Sequence, residues 1–411
     1  MPNYRRNHYV PEWYQYRFLS DDPARESKFY YLDKTPTMVT NGGHRYTRNA
    51  VLRWGPPRCF MQTDLYTTKL GTWESTDIEQ FFFGRIDALG RKAVESFARY
   101  DHSEIDHEVL HNLLIYMSTQ KLRTPKGLAY LSNVTASSSK NRLLHNLQYL
   151  QQMHCAIWTE CVWQLAAATH SDVKFIVSDH PVTVYNQGCF PASKLCVGFR
   201  DPDITLSGTH TLFPLSEDRI LILTNLSWAR NPYGNPLKQR PNPDLFRHAM
   251  FNFQDIQTGK NLSRDEVLRI NYIMKARAHR YIAAREKQWL YPESEIKDLT
   301  WDKLTGNHIL MPDPRSMIYS SGVVIGFKGG GGEAFDAYGR RPGQAGYENE
   351  LNEREWETFH AFQGEFARLY GRRRRGQSHR LGGLDPEEDT EDHHRYHLRL
   401  EQQNRKYRFK G

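Results

Sequence analysis

The sequence predicts an α+β fold: a helical block packed on a small, mostly antiparallel sheet, followed by a C-terminal extension and a disordered tail. Three observations carry this expectation. Apolar residues recur at helical spacing through one block, residues 76–168. Strand-like apolar runs follow in a second block, between residues 173 and 224. Aromatic residues reach 13% (20 Phe, 9 Trp and 23 Tyr), far too many for a disordered chain, although mean hydropathy is only −0.72. A polar segment must therefore dilute a real core.

The elements follow in chain order. Phe29-Tyr30-Tyr31-Leu32, closed by Asp33-Lys34-Thr35-Pro36, is a strand and its turn within an irregular, β-rich stretch over residues 1–70. Thr76-Asp77-Ile78-Glu79 reads as a capping box. It opens a helix with Ile78, Phe82, Ile86, Leu89, Ala93 and Phe97 on one face. A second helix begins near Asp106, with Leu110, Leu113, Leu114 and Met117 as its buried stripe. It must stop before Pro125, because the residue preceding a proline leaves the α region. Leu143, Leu147, Leu150, Trp158, Val162 and Leu165 predict a third helix from about Lys140 to Ala168. The period then changes, giving strands at 173–177, 182–185, 211–214 and 219–224. Ser263-Arg264-Asp265-Glu266 is again a capping box, of a helix expected to run through Arg285.

Residues 1–290 thus read as one α+β domain. Residues 291–370 read as a C-terminal extension, with Gly329–Gly332 as a flexible linker and one amphipathic helix over 351–370. Residues 371–411 read as a disordered charged tail, dispensable for folding. Of the net charge of +8, half lies in that tail, which holds 11 Lys+Arg against 7 Asp+Glu. The body is nearly balanced, so a basic total is no evidence for a nucleic-acid groove. No apolar run is long enough for a membrane span, and the N-terminus has no signal-peptide core. Five cysteines, Cys59, Cys155, Cys161, Cys189 and Cys196, form no Cys-x-x-Cys pair. An odd number without that spacing points to a reducing cytoplasm and away from a cysteine zinc site.

Several short motifs carry possible chemistry, each with an ordinary structural reading beside it. Asn7-His8-Tyr9-Val10-Pro11 offers a histidine that titrates near neutrality, or simply an aromatic-anchored segment. Gln120-Lys121-Leu122-Arg123-Thr124-Pro125 ends a helix; Arg123 suits a carbonyl cap or a bidentate anion fork. Asp179, in Ser178-Asp179-His180-Pro181, follows an apolar strand, as a metal-binding or acid carboxylate would, or as a turn residue would. His107-Glu108-Val109-Leu110-His111 has zincin spacing, with both imidazoles on one helix face and Glu108 as base. No third ligand helix or downstream Gly-x-x-His supports it. His393, His394 and His397 lie in the tail and read as solvated.

Taken in order, Asn7-His8-Tyr9-Val10-Pro11, Gln120-x-x-Arg123-Thr124-Pro125 and Phe175-Ile176-x-Ser178-Asp179-x-Pro181-Val182 resemble the bacterial domain-of-unknown-function family numbered 4238. Phe213-Pro214-Leu215-Ser216 with Ile220–Leu223 is similar to the family's next strand pair. Asn271 with Ala276-Arg277-Ala278 and Tyr281 is similar to its closing helix. The resemblance spans about residues 5–285. The family more often has Asn at the position of His180, so His180 inherits no role.

Family activity is unknown, so the resemblance implies a candidate site without a reaction. His8, Arg123 and Asp179 are the expected catalytic residues, and Gln120, Asn271 and Arg277 the expected binding residues. Their types are those of phosphodiester chemistry: an acid, a neutral-pH base and a charge-stabilising arginine. The expected activity is a nuclease-like or nucleotide-processing hydrolase, in a defence or toxin role, whose partner is a nucleic acid or nucleotide. No Glu-x-Lys strand follows Asp179, a departure from the restriction-type pattern. No resident metal is assigned; a divalent ion is the cofactor this chemistry would admit. Two other classes stand beside it: a non-catalytic binding module, and a zinc metallopeptidase using His107, Glu108 and His111. A functional trio should converge in a cleft between helices and strands. Asp179→Asn should then remove activity and leave the melting temperature nearly unchanged or raised.

Overall fold

The computed structural model describes residues 6–19, 27–66, 68–70, 73–75, 83–100, 105–135, 140–196, 201–240, 251, 253–317, 323–336, 338, 340–344, 347 and 349–370. The capping box at Thr76–Glu79 and the tail 371–411 lie outside the described residues.

In chain order, strand β1 (Arg6–His8) and helix α1 (Glu12–Tyr16) precede strands β2 (Phe29–Asp33), β3 (Met38–Asn41), β4 (His44–Thr47) and β5 (Val51–Trp54). Strands β6 (Met61–Thr63), β7 (Thr68–Leu70) and β8 (Trp73–Ser75) follow. The helical block is α2 (Gly84–Arg99), α3 (His107–Arg123), α4 (Pro125–Thr135) and α5 (Lys140–Glu160). Then come β9 (Val162–Ala167), β10 (Val177–Ser178), β11 (Thr183–Asn186), β12 (Thr209–Pro214), β13 (Arg219–Thr224) and the short helix α6 (Leu226–Arg230). β14 (Gln257–Asn261), α7 (Arg264–Arg277), β15 (Tyr281–Ala284) and α8 (Pro292–Glu295) lead into β16 (Val323–Gly326), β17 (Gly332–Phe335) and α9 (Asn349–Tyr370).

The α+β class holds. A five-stranded sheet has the order β11-β12-β13-β9-β14, and a four-stranded sheet the order β10-β15-β2-β5. Their pairings are antiparallel except that β14 runs parallel to β9. α2 and α5 flank α3, whose stripe of Leu110, Leu113, Leu114 and Met117 is buried. Fully burying a residue of this kind stabilises by about 1.5–3 kcal/mol, and the stripe therefore fixes which way α3 faces.

Four expectations are corrected. The third helix stops at Glu160, and Val162–Ala167 is a strand paired with β13 on one side and β14 on the other. Val162 and Leu165 fit a helical stripe, but a strand covered on both faces also reads as a nearly unbroken apolar run, so period alone could not separate them. Likewise α7 ends at Arg277, and Tyr281–Ala284 is a strand between β10 and β2. The expected strand 173–177 shrinks to Val177–Ser178. The glycine run at 329–332 is a hairpin turn between β16 and β17, with Gly330 and Gly331 in the left-handed region (φ 91° and 81°).

The boundary expected at residue 290 does not mark the end of the core. Leu299, Trp301, Leu304, Ile309 and Leu310 join the main hydrophobic cluster. α9 packs through Phe362 and Phe366 on Trp228 and Met311, in a separate small cluster.

One junction positions the site. Asp106 caps α3, accepting from the Val109 N–H at 2.9 Å. The helix ends at Arg123 because Thr124, preceding Pro125, is extended at ψ 158°. Pro125 then starts α4, and the Thr124 hydroxyl caps it by accepting from Gly127 N–H at 3.1 Å. Gly127 is required by close approach: a Cβ there would lie 2.3 Å from the Lys121 carbonyl oxygen.

Candidate functional site

The last turn of α3 is buried throughout, from Ser118 to Arg123. Gln120 Nε2 donates to the Tyr9 carbonyl at 2.7 Å, and its Oε1 accepts from Arg123 Nε and Nη2 at 3.0 and 2.6 Å. Asp87 of α2 faces the same guanidinium with both oxygens, at 2.8 and 3.0 Å. The rings of Phe83 and Tyr116 lie within 6 Å of it. Burial alone would lower the Arg123 pKa, but Asp87 overrides that and raises it. Arg123 is 1% exposed and has no face toward solvent.

Asp179 is held differently. Its Oδ1 accepts from His279 N–H at 2.8 Å, and its Oδ2 from the N–H groups of Arg280 and Tyr281 at 2.6 and 2.7 Å. Its own N–H donates to the Tyr281 carbonyl at 2.9 Å. The carboxylate thus clamps the turn between α7 and β15 onto the end of β10. Burial nonetheless leaves its pKa raised.

His8 sits at the end of β1, with Nδ1 3.4 Å from Glu12 Oε1. Burial lowers its pKa, opposed by Glu12. Among the described residues no hydrogen bond or ion pair joins any two of His8, Arg123 and Asp179. They are related through Tyr9. Its carbonyl binds Gln120, and burial, with Asp179 next in effect, holds its phenol well above the ordinary range. The expectation that Asp179→Asn is thermally silent does not survive this geometry, because an amide would set a donor against an N–H.

The expected binding residues are also internal. Asn271 Oδ1 accepts from Ile176 N–H at 3.2 Å, and its Nδ2 donates to the Lys174 carbonyl at 2.8 Å. Arg277 donates to the Cys189 carbonyl and, at 3.1 Å, to Cys196 Sγ, with its guanidinium over Trp301. His107, Glu108 and His111 occupy the exposed first turn of α3, and no metal-ligand cluster of three such residues occurs among the described residues.

A second polar group was not foreseen. Asp201 Oδ2 accepts from Lys121 Nζ and pairs with His180 Nε2 at 2.8 Å; its Oδ1 accepts from Lys126 Nζ at 2.5 Å. The other imidazole nitrogen, Nδ1, meets the Thr124 hydroxyl at 2.8 Å. Lys126 also donates to the Arg277 carbonyl at 2.7 Å. The four ionisable side chains are at most 9% exposed. Burial would raise the Asp201 pKa, but Lys121, Lys126 and His180 hold it well below the ordinary range. Burial pulls His180 down to about 4 against the pull of Asp201. Behind it lies His154, bonded to Ser118 Oγ at 3.0 Å and pulled down to about 3 by burial.

The cluster thus sets two lysines and an imidazole around a single carboxylate, all buried; burial lowers the Lys121 pKa, opposed by Asp201. Lys121 and Lys126 adjoin the motif residues in sequence, so a lysine on the buried end of α3 was a readable signal. Asp201, within the turn-like Asp201-Pro202-Asp203, gave none.

No protein-family model, curated protein or solved structure matches the chain.

Proposed function

We propose that the chain acts on phosphodiesters of nucleic acid or nucleotide origin, with its chemistry at the junction of α3, α4 and the segment after β10. In this reading His180 and Asp201, rather than His8 and Asp179, form the acid–base pair. The observation that carries it is the single Asp201 carboxylate shared by Lys121, Lys126 and a neutral His180. Surplus buried positive charge is costly without an anion, and phosphoryl oxygens are the anion that two ammonium groups suit. The imidazole supports proton transfer: Asp201 orients Nε2–H, which leaves the Nδ1 lone pair toward the Thr124 hydroxyl. Arg123 and Asp179 then serve as positioning residues that hold α3 and the α7–β15 turn.

A second reading rests on burial. Each member of the cluster is satisfied by another, as in an internal ion network that specifies the fold without turnover. The experiment measures hydrolysis of bis(4-nitrophenyl) phosphate and of single-stranded DNA and RNA, with melting temperature recorded alongside. A catalytic cluster loses activity by about a hundredfold or more in His180→Gln while the fold remains. Absence of turnover on every diester, with a lowered melting temperature in His180→Gln, favours the internal network.

A further inference from the structure

Residues 189 and 196 bracket a loop whose tip, including Phe190 and Leu195, is exposed while both cysteines are buried. Cys196 Sγ lies 3.9 Å from the Cys189 carbonyl oxygen, and Arg277 reaches both residues. Arg277, at the C-terminal end of α7, reaches into this loop. Its Nη1 stands 3.1 Å from Cys196 Sγ and its Nη2 bonds the Cys189 carbonyl. Trp301 carries the Arg277 guanidinium on its ring, at 4.8 Å, and packs against Tyr185 at 5.1 Å. Two buried polar atoms here have no partner: Arg277 Nε and the Tyr185 hydroxyl. An arginine beside one thiol of a pair, with spare polar groups alongside, is the setting in which a cysteine becomes a nucleophile.

We propose that Cys196 and Cys189 form a peroxide-oxidisable pair, with Cys196 as the attacking thiolate, Cys189 as the resolving thiol and Arg277 as the group that holds the thiolate. The inference stands apart from the phosphodiester reading. The neighbouring Cys189 thiol, then Arg277, draws the Cys196 pKa down, against the effect of burial, while Cys189 is raised.

The chemistry balances. The Cys196 thiolate attacks one oxygen of hydrogen peroxide, the O–O bond breaks, and the departing hydroxide takes a proton to become water. The resulting sulfenic acid is attacked by Cys189 sulfur; the S–O bond breaks and a second water leaves. Two thiols give up two electrons to the peroxide and become one disulfide. Cys196 is only 7% exposed, so the site admits a molecule the size of peroxide far better than a bulky alkylating agent. Arg277 Nε and the Tyr185 hydroxyl are the groups that would hold the incoming oxidant. Closure deprives Arg277 of its anionic partner. The Arg277 carbonyl also accepts from Lys126 at 2.7 Å.

The test treats the full-length chain with dilute hydrogen peroxide, quenches it into denaturant containing dimedone to trap sulfenic acid, and maps cysteine peptides by mass spectrometry. The expected result is a Cys189–Cys196 disulfide formed ahead of any change at Cys59, Cys155 or Cys161. In Cys189→Ser, dimedone should label Cys196; in Cys196→Ser, Cys189 should stay reduced. Arg277→Lys, which keeps a charge but loses the fork, should slow oxidation of Cys196 about tenfold. Should that variant fold poorly, the unmodified protein still decides the matter: its Cys196 oxidation rate should hold nearly constant from neutral pH down toward pH 5. A rate that falls across that range, labelling of Cys189 in place of Cys196, or oxidation of Cys59 at an equal rate overturns the proposal.

Discussion

Asp179 and Asp201 are both buried carboxylates, and they do opposite work. Asp179 is held by three backbone N–H groups that neither titrate nor move independently of the chain. Asp201 is held by two ammonium groups and an imidazole, all on side chains. The first is a clamp, whose strength lies in fixed dipoles at the turn between α7 and β15. The second is a charge cluster, whose strength depends on protonation and on each partner remaining in place. A buried acid is thus not a functional signal until the nature of its partners is known.

The comparison breaks most directly at Asp201. Asp201→Asn leaves two buried lysines without their anion and should cost about 3–5 kcal/mol in urea denaturation. Replacing the whole set, as Lys121→Met, Lys126→Met and Asp201→Leu together, should recover most of that loss. If the triple variant is no better than the single one, the cluster is not an ion network.

Acid distinguishes the two regions next. The folded pKa of His180, about 4, lies below its unfolded value of 6.5, so the folded state binds this proton less readily. Its contribution to stability is complete above pH 6.5 and is lost as pH falls toward 4, about 3 kcal/mol in all. His180→Gln should flatten the pH dependence of unfolding in that window. Asp201, whose pKa is depressed below 3.8, loses its contribution only at lower pH.

At the clamp, Asp179→Asn should cost about 2–3 kcal/mol, since an amide nitrogen facing an N–H leaves a buried donor unsatisfied. An unchanged melting temperature would show that the three backbone bonds matter little. Gly127→Ala should cost about 1–3 kcal/mol by crowding the Lys121 and Leu122 carbonyls, and it should disturb the Asp201 cluster more than the clamp. The smallest effect belongs to neither region: His111→Ala, on the exposed start of α3, should change stability by less than about 0.5 kcal/mol.

Much of the frame was legible. The capping box of α7, the buried stripe of α3, its stop before Pro125 and the strand pair β12–β13 are all local patterns, set by residues within a few positions of one another. Val162–Ala167 and Tyr281–Ala284 were misread as helix because an interior strand lacks the alternation that marks a half-buried one. For the candidate site, the motifs around Arg123 and Asp179 marked segments whose polar side chains are buried. Gln120 and Arg123 bind each other within the last turn of α3, Asp179 binds the turn between α7 and β15, and each is spent on internal bonds.

By itself, then, the sequence determined where α3 and α7 begin, that α3 stops before Pro125, which faces are apolar, and that polar residues at 120–124 and 178–180 are not ordinary surface. Only the tertiary structure decided what those residues bind. Asp179 meets N–H groups a hundred residues later, and Asp201 meets lysines about eighty residues earlier. Hydrophobic periodicity repeats along the chain and can be read locally. A hydrogen bond or ion pair is chosen by distance in space, and that distance exists only after the helices and sheets have packed.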